Sequence, residues 1–111
     1  MSDTAATLRQ LKIKSGVVGR LKKEHELYQK ELVDQKIKTD KLVANGAEEW
    51  DIKNSGKMTE ESEKMIKDSE ERLGKAYDEL RQLVVSAKKE PALAQEEALL
   101  KAEGILEEAA L

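Results

Sequence analysis

One stretch, Leu11 to Leu42, restricts what this chain can become more than any other. Within it Val18, Leu21, His25, Tyr28, Leu32, Gln35, Thr39 and Leu42 recur at alternating spacings of three and four. That is the heptad pattern that keeps one stripe of a long helix against partner helices. A single helix with so long a stripe needs neighbours to cover it, and the rest of the chain is the nearest source.

Composition decides what kind of neighbours. Charged residues make up 39% of the 111 residues and aromatics 3%, with no Phe, so a thick globular core is out of reach. Aliphatic stripes between charged helices are within reach, and the sustained period argues against disorder. No Cys is present, which removes disulfides and thiolate metal sites and suits a reducing compartment. No apolar run approaches the roughly 20 residues needed to cross a bilayer. Met1 to Ala6 carries Asp3 and lacks a basic start, so it does not read as a targeting segment. A soluble cytoplasmic protein without membrane contact is expected.

Thr7 and Gln10 form a capping box that places the first helix start near Leu8. Between Lys12 and Gly19, alternation and two glycines also allow a short strand and loop, each Gly costing a helix about 1 kcal/mol relative to Ala. Leu11 and Val18 nevertheless keep phase with the seam, which favours helix. Asn45-Gly46 supplies a stop. The span of residues 8–44 is about 55 Å at 1.5 Å per residue, a rod.

A second helix is expected over 48–87, with Glu48, Glu49 and Asp51 at the positive end of its dipole. Its seam reads Ile52, Ser55, Thr59, Ser62, Ile66, Ser69, Leu73, Ala76, Leu80, Leu83 and Ala87, supplemented by Met58, Met65, Tyr77 and Val84. Serines hold successive positions in the first half, so Leu73 to Ala87 is expected to carry more of the stability. Asn54-Ser55-Gly56 before Thr59 is an alternative turn and new cap, but Ile52 and Ile66 stay in phase across it. Pro91 suits a helix start, giving a third helix over 91–110 with seam residues Ala92, Gln95, Leu99, Ala102, Leu106 and Ala109, broadened by Leu93 and Leu100. Short connections then predict a single all-α domain over 1–111: an elongated antiparallel three-helix bundle, up, down and up, with coiled-coil-like packing.

No active site can be assembled from these residues, and no enzyme is expected. His25, the one histidine, lies on the seam, and the seam serines have no histidine near them in sequence. Glu60-Glu61 and Glu70-Glu71 point in different directions on a helix and hold no metal alone; no cofactor is called for. Gly16-Val17-Val18-Gly19 matches a GxxG loop, but the sheet that such a nucleic-acid clamp requires is missing. Trp50, at a helix start beside acids, leaves two readings open, an end cap on the bundle and an exposed anchor for a partner.

Several stretches together resemble the tubulin-binding cofactor A family: KIKSGVVGRLKKE from Lys12 to Glu24, Tyr28 to Glu31, Trp50-Asp51-Ile52-Lys53, Glu61 to Ile66, Arg72-Leu73 and Ala76-Tyr77. They stand in the family's order and close to its spacing over residues 8–85. The chain departs from the family's habit at Gly19, where a basic residue is usual, at Asn54-Ser55, where Lys-Gln is usual, and at Lys67, where proline is usual. The resemblance implies a cytoplasmic, cytoskeleton-associated chaperone that captures β-tubulin released from the cytosolic chaperonin. It would pass that client on for αβ-heterodimer assembly, by binding without catalysis, with other tubulin-folding cofactors as further partners and no nucleic acid.

Charge is uneven in a way that fits an acidic client. Residues 1–45 hold ten Lys or Arg against six acids, whereas residues 91–111 hold one Lys against five Glu. The expected client surface is the outward face of the first helix, with Arg20, Lys22 and Lys23, together with Trp50 and Lys53 of the second. From a different class, a structural coiled-coil adaptor that pairs with itself or another helical chain explains the same seams, and both monomer and homodimer are compatible with them.

Overall fold

The structure, a computed structural model, describes residues 3–110. Three helices, α1 (Thr4–Ala44), α2 (Glu49–Lys88) and α3 (Glu97–Ala109), account for most of the chain, and no strand occurs among the described residues. The helical architecture is the one expected from the seams.

The start of α1 corrects the expected capping box. Asp3 is the cap: its carboxylate accepts the Ala6 N–H at 3.1 Å, and its carbonyl accepts the Thr7 N–H at 3.0 Å. Thr7 lies inside the first turn, its hydroxyl donating back to the Asp3 carbonyl at 3.1 Å. The helix therefore begins at Thr4, one turn before Leu8, and runs unbroken through Gly16 and Gly19. Leu11 and Val18 are both fully buried, and keeping them on one face outweighs the intrinsic cost of the glycines.

At the other end the stop is a Schellman arrangement. Gly46 takes φ +67, its N–H reaching the Val43 carbonyl at 3.2 Å while the Ala47 N–H reaches Leu42 at 3.0 Å. Those two bonds satisfy carbonyls that the helix end leaves free. From Glu49, α2 passes Gly56 without interruption, so the alternative turn at Asn54 to Gly56 does not form.

The third helix departs most from expectation. Pro91 to Ala94 and Gln95 lie in turns, closed by Leu93 N–H to Glu90 carbonyl and Glu96 N–H to Leu93 carbonyl, each 3.0 Å, and α3 starts at Glu97. These turns drive Leu93 into the core, whereas Ala92 and Gln95, expected on the seam, are exposed. Leu100, expected beside Leu93, is 52% exposed. On one straight helix Leu93 and Leu99 would stand about 120° apart, since six residues turn through about 600°, and the turns bring both into the core.

The chain divides into two units, Met1–Lys22 with Arg72–Leu111 (unit 1) and Lys23–Glu71 (unit 2). In unit 1, Leu11, Val18 and Leu21 of α1 meet Leu73, Leu80, Val84 and Ala87 of α2 and Leu99, Ala102, Leu106 and Ala109 of α3, with Leu93 closing the end. Helix α3 runs parallel to α1 there: Leu8 and Lys12 lie beside Glu97 and Lys101, while Gly19 faces Ile105.

Unit 2 has no buried aliphatic residue; its buried side chains are His25, Ser55 and Ser69. The Ser69 hydroxyl donates to the Ile66 carbonyl at 2.9 Å. Having spent its one hydrogen, it accepts at 2.8 Å from His25, whose Nδ1 must then carry the proton. Farther along, Gln35 Nε2 donates to Ser55 Oγ at 3.0 Å. Ser55 Oγ and Thr39 Oγ1 are 2.6 Å apart, and Thr39 donates to the Gln35 backbone carbonyl at 3.1 Å. Only one direction satisfies all three, amide to Ser55, Ser55 to Thr39, Thr39 to carbonyl. Since His25 meets Ser69 while the later Gln35 and Thr39 meet the earlier Ser55, α1 and α2 run antiparallel in this unit.

Candidate partner-binding surface

The five residues expected to meet a partner divide between the units. Arg20 and Lys22 belong to unit 1, whereas Lys23, Trp50 and Lys53 belong to unit 2. Arg20, Lys23 and Lys53 are exposed.

Lys22 is the correction. It is half-buried and its Nζ donates to the Glu108 carbonyl in the last turn of α3. A cation against the free carbonyls of a helix C-terminus is favoured by both hydrogen bonding and the dipole. Lys22 therefore ties α3 to α1 instead of facing outward, and the acidic third helix finds its base inside unit 1.

Trp50 is 72% exposed in the first turn of α2. Of the two readings open for it, end cap and outward ring, the packing is that of an outward ring. Lys53, three residues on, shares its side of the helix. Lys23 does not join them, because about 30 Å of α1 separates it from the turn that leads to Trp50.

The departures from the family's habit fall in informative places. Ser55 is buried within the Gln35–Thr39 relay, so that position serves the inside of unit 2. At Gly19 the nearest atom to an added Cβ is Ile105 Cδ1 at 4.0 Å, an ordinary van der Waals separation that leaves room for a Cβ. Lys67 is exposed in an unbroken turn of α2.

Several apolar side chains face solvent, among them Met58 and Met65, which were expected to supplement the α2 seam. Leu27, Val33 and Ile37 on α1 and Met58 and Met65 on α2 are each about half exposed. Their signal in the sequence is an aliphatic or thioether residue standing off the main seam among charged residues. No group of three or more His, Asp or Glu among the described residues is placed to hold a metal, and no helix among them is long and apolar enough to cross a membrane.

Comparison with known proteins decides what these faces belong to. The profile described as Tubulin binding cofactor A matches residues 6–106. This chain belongs to the tubulin-binding cofactor A family. Among its members, the Tubulin-specific chaperone A of Gallus gallus is 40% identical over 100 residues, covering 90% of both chains. That of Rattus norvegicus is 44% identical over 81 residues, 73% of this chain and 75% of its own. The crystal structure of tubulin folding cofactor A from Arabidopsis thaliana superposes with TM-score 0.88 at 28% identity, covering 95% of this chain and 96% of the other. For human tubulin chaperone cofactor A the TM-score is 0.79 at 37% identity, covering 95% and 99%. The family's three-helix fold and this chain's fold are the same.

Proposed function

We propose that the chain is a tubulin-folding chaperone that captures β-tubulin after its release from the cytosolic chaperonin and passes it on for αβ-heterodimer assembly. It acts as one three-helix domain in the cytoplasm, beside the cytoskeleton, by binding without catalysis, and other tubulin-folding cofactors are the partners to which it hands its client. The observation that carries this reading is the family match over residues 6–106.

Physical features support it. Arg20, Lys23 and Lys53 are exposed cations suited to an acidic client, and such charges chiefly raise encounter rate and fix orientation. Trp50 is the largest exposed apolar side chain, the kind of residue that anchors an interface. Lys22 is withdrawn from this surface because of its bond to Glu108.

A pull-down from cytosol with the intact chain, probed for β-tubulin, is the direct test. Recovery of β-tubulin is expected, with affinity that falls as salt rises. Recovery of some other helical protein without tubulin replaces this reading with the structural adaptor. Trp50→Ala is expected to lower affinity at least tenfold, and unchanged affinity removes Trp50 from the surface.

A further inference from the structure

The side of α1 that faces away from α2 in unit 2 carries a second periodic stripe. Lys23, Leu27, Lys30, Asp34, Ile37 and Lys41 recur at spacings of four and three, and all six are exposed. From Leu27 onward each stands two residues after a seam residue: His25, Tyr28, Leu32, Gln35 and Thr39. Two residues are about 200° of helix, so the stripe lies almost opposite the seam. It repeats the spacing of a helix-packing face where this fold supplies no helix.

Its chemistry is sorted. Residues 23–71 hold fourteen acids against nine lysines, yet the stripe holds three lysines and one acid. Leu27 is 53% exposed and Ile37 47%, enough aliphatic surface to seat a partner's apolar residue each. Scattered exposed aliphatics are ordinary on a protein surface; two at heptad positions, bracketed by cations, form a defined arrangement.

We propose that this stripe docks an amphipathic helix of the client protein, acidic along its flanks. The partner's apolar residues cover Leu27 and Ile37, and its Glu and Asp side chains approach Lys23, Lys30 and Lys41. A helix laid along a helix at this spacing follows the knobs-into-holes geometry of coiled coils, in which flanking charges select partner and orientation. Charge complementarity names the occupant. A second copy of this chain would bring two net-positive stripes together, and neither nucleic acid nor an anionic bilayer presents apolar residues at heptad spacing to Leu27 and Ile37. The assignment of that client as β-tubulin rests on the function proposed above; the acidic-helix chemistry does not.

Two variants of the intact chain test it: Leu27→Ala with Ile37→Ala, and Lys23→Glu with Lys30→Glu and Lys41→Glu. All five positions are exposed, so the thermal unfolding of both variants, followed by circular dichroism, should match the parent. Each is titrated with purified β-tubulin and with two synthetic heptad peptides, one with Leu at the seam and Glu on the flanks, the other with Lys on the flanks. Affinity for β-tubulin should fall tenfold or more in each variant. The Glu-flanked peptide should bind the parent and not the charge-reversed variant, and the Lys-flanked peptide should show the opposite preference. β-Tubulin bound equally by parent and both variants overturns the stripe and leaves the tubulin reading standing. Should the parent fail to bind β-tubulin, the tubulin reading falls, and the Glu-flanked peptide alone decides the stripe: binding upholds it, no binding overturns it. Parent dimerisation, or binding to phosphatidylserine vesicles, that is lost in Leu27→Ala with Ile37→Ala while neither peptide binds also overturns it.

Discussion

In unit 1 three helices press leucine against leucine; in unit 2 two helices of the same spacing meet through hydroxyls, an amide and an imidazole. Heptad spacing therefore specifies which residues face each other but leaves open what they contribute. A buried Leu contributes about 1.5–3 kcal/mol, whereas a hydrogen bond that replaces one to water nets about 0.5–1.5 kcal/mol. Unit 1 is the source of stability. Unit 2 gains less from closing, and what it gains depends on partners being matched atom by atom, so it should open at a lower free energy than unit 1.

That contrast can be broken most directly with matched truncations. Leu80→Ala, at a fully buried position in unit 1, should cost about 2–5 kcal/mol in denaturant unfolding. Leu32→Ala, half-buried in unit 2, should cost less than half of that; equal costs would erase the distinction. Ser69→Ala comes next. It leaves the His25 Nδ1 hydrogen buried without an acceptor, at about 1–3 kcal/mol, and adding His25→Leu should recover most of the loss because the donor then disappears too. A double variant no more stable than Ser69→Ala alone would mean that the pair is not the unit's key contact.

Smaller effects sharpen the comparison. An added Cβ at Gly16 or at Gly56 meets nothing within 4 Å, so Gly16→Ala in unit 1 and Gly56→Ala in unit 2 should each stabilise by up to about 1 kcal/mol. A thermal-melt gain at Gly16 with none at Gly56 would show unit 2 already open in the native ensemble. Trp50→Ala should change stability by less than about 0.5 kcal/mol, as for other exposed side chains, because Trp50 stands largely exposed.

Period was the legible part of the sequence. Every residue of the main seams on α1 and α2 is buried or half-buried, since a long helix repeats its instruction many times; of the residues expected to supplement the α2 seam, Met58 and Met65 are exposed. Ends are set once, by a single competition. Thr7-x-x-Gln10 and Asp3 both offer caps, and the carboxylate of Asp3 wins with the earlier turn. Pro91 fits a helix start locally, but Leu93 has a place in a core made from residues far away in sequence, and the turns follow from that demand. The surface was legible only in part. Lys53 stands outward as expected and Trp50 takes the outward one of its two open readings, whereas the fate of Lys22 depends on where α3 ends, which no local pattern in α1 contains. Leu27 and Ile37 went unnoticed because they lie off the seam.

Ser55, Ser62 and Ser69 stand seven residues apart, and a repeat cannot tell one of its own positions from the next. Sliding α2 by one heptad so that Ser62 takes the place of Ser55 would still offer Gln35 and Thr39 a hydroxyl. The place of Ser69 would then pass to Ala76, and the imidazole of His25 would face a methyl group. His25 thus works as the zero mark on a ruled scale: one non-repeating contact gives each serine its own address.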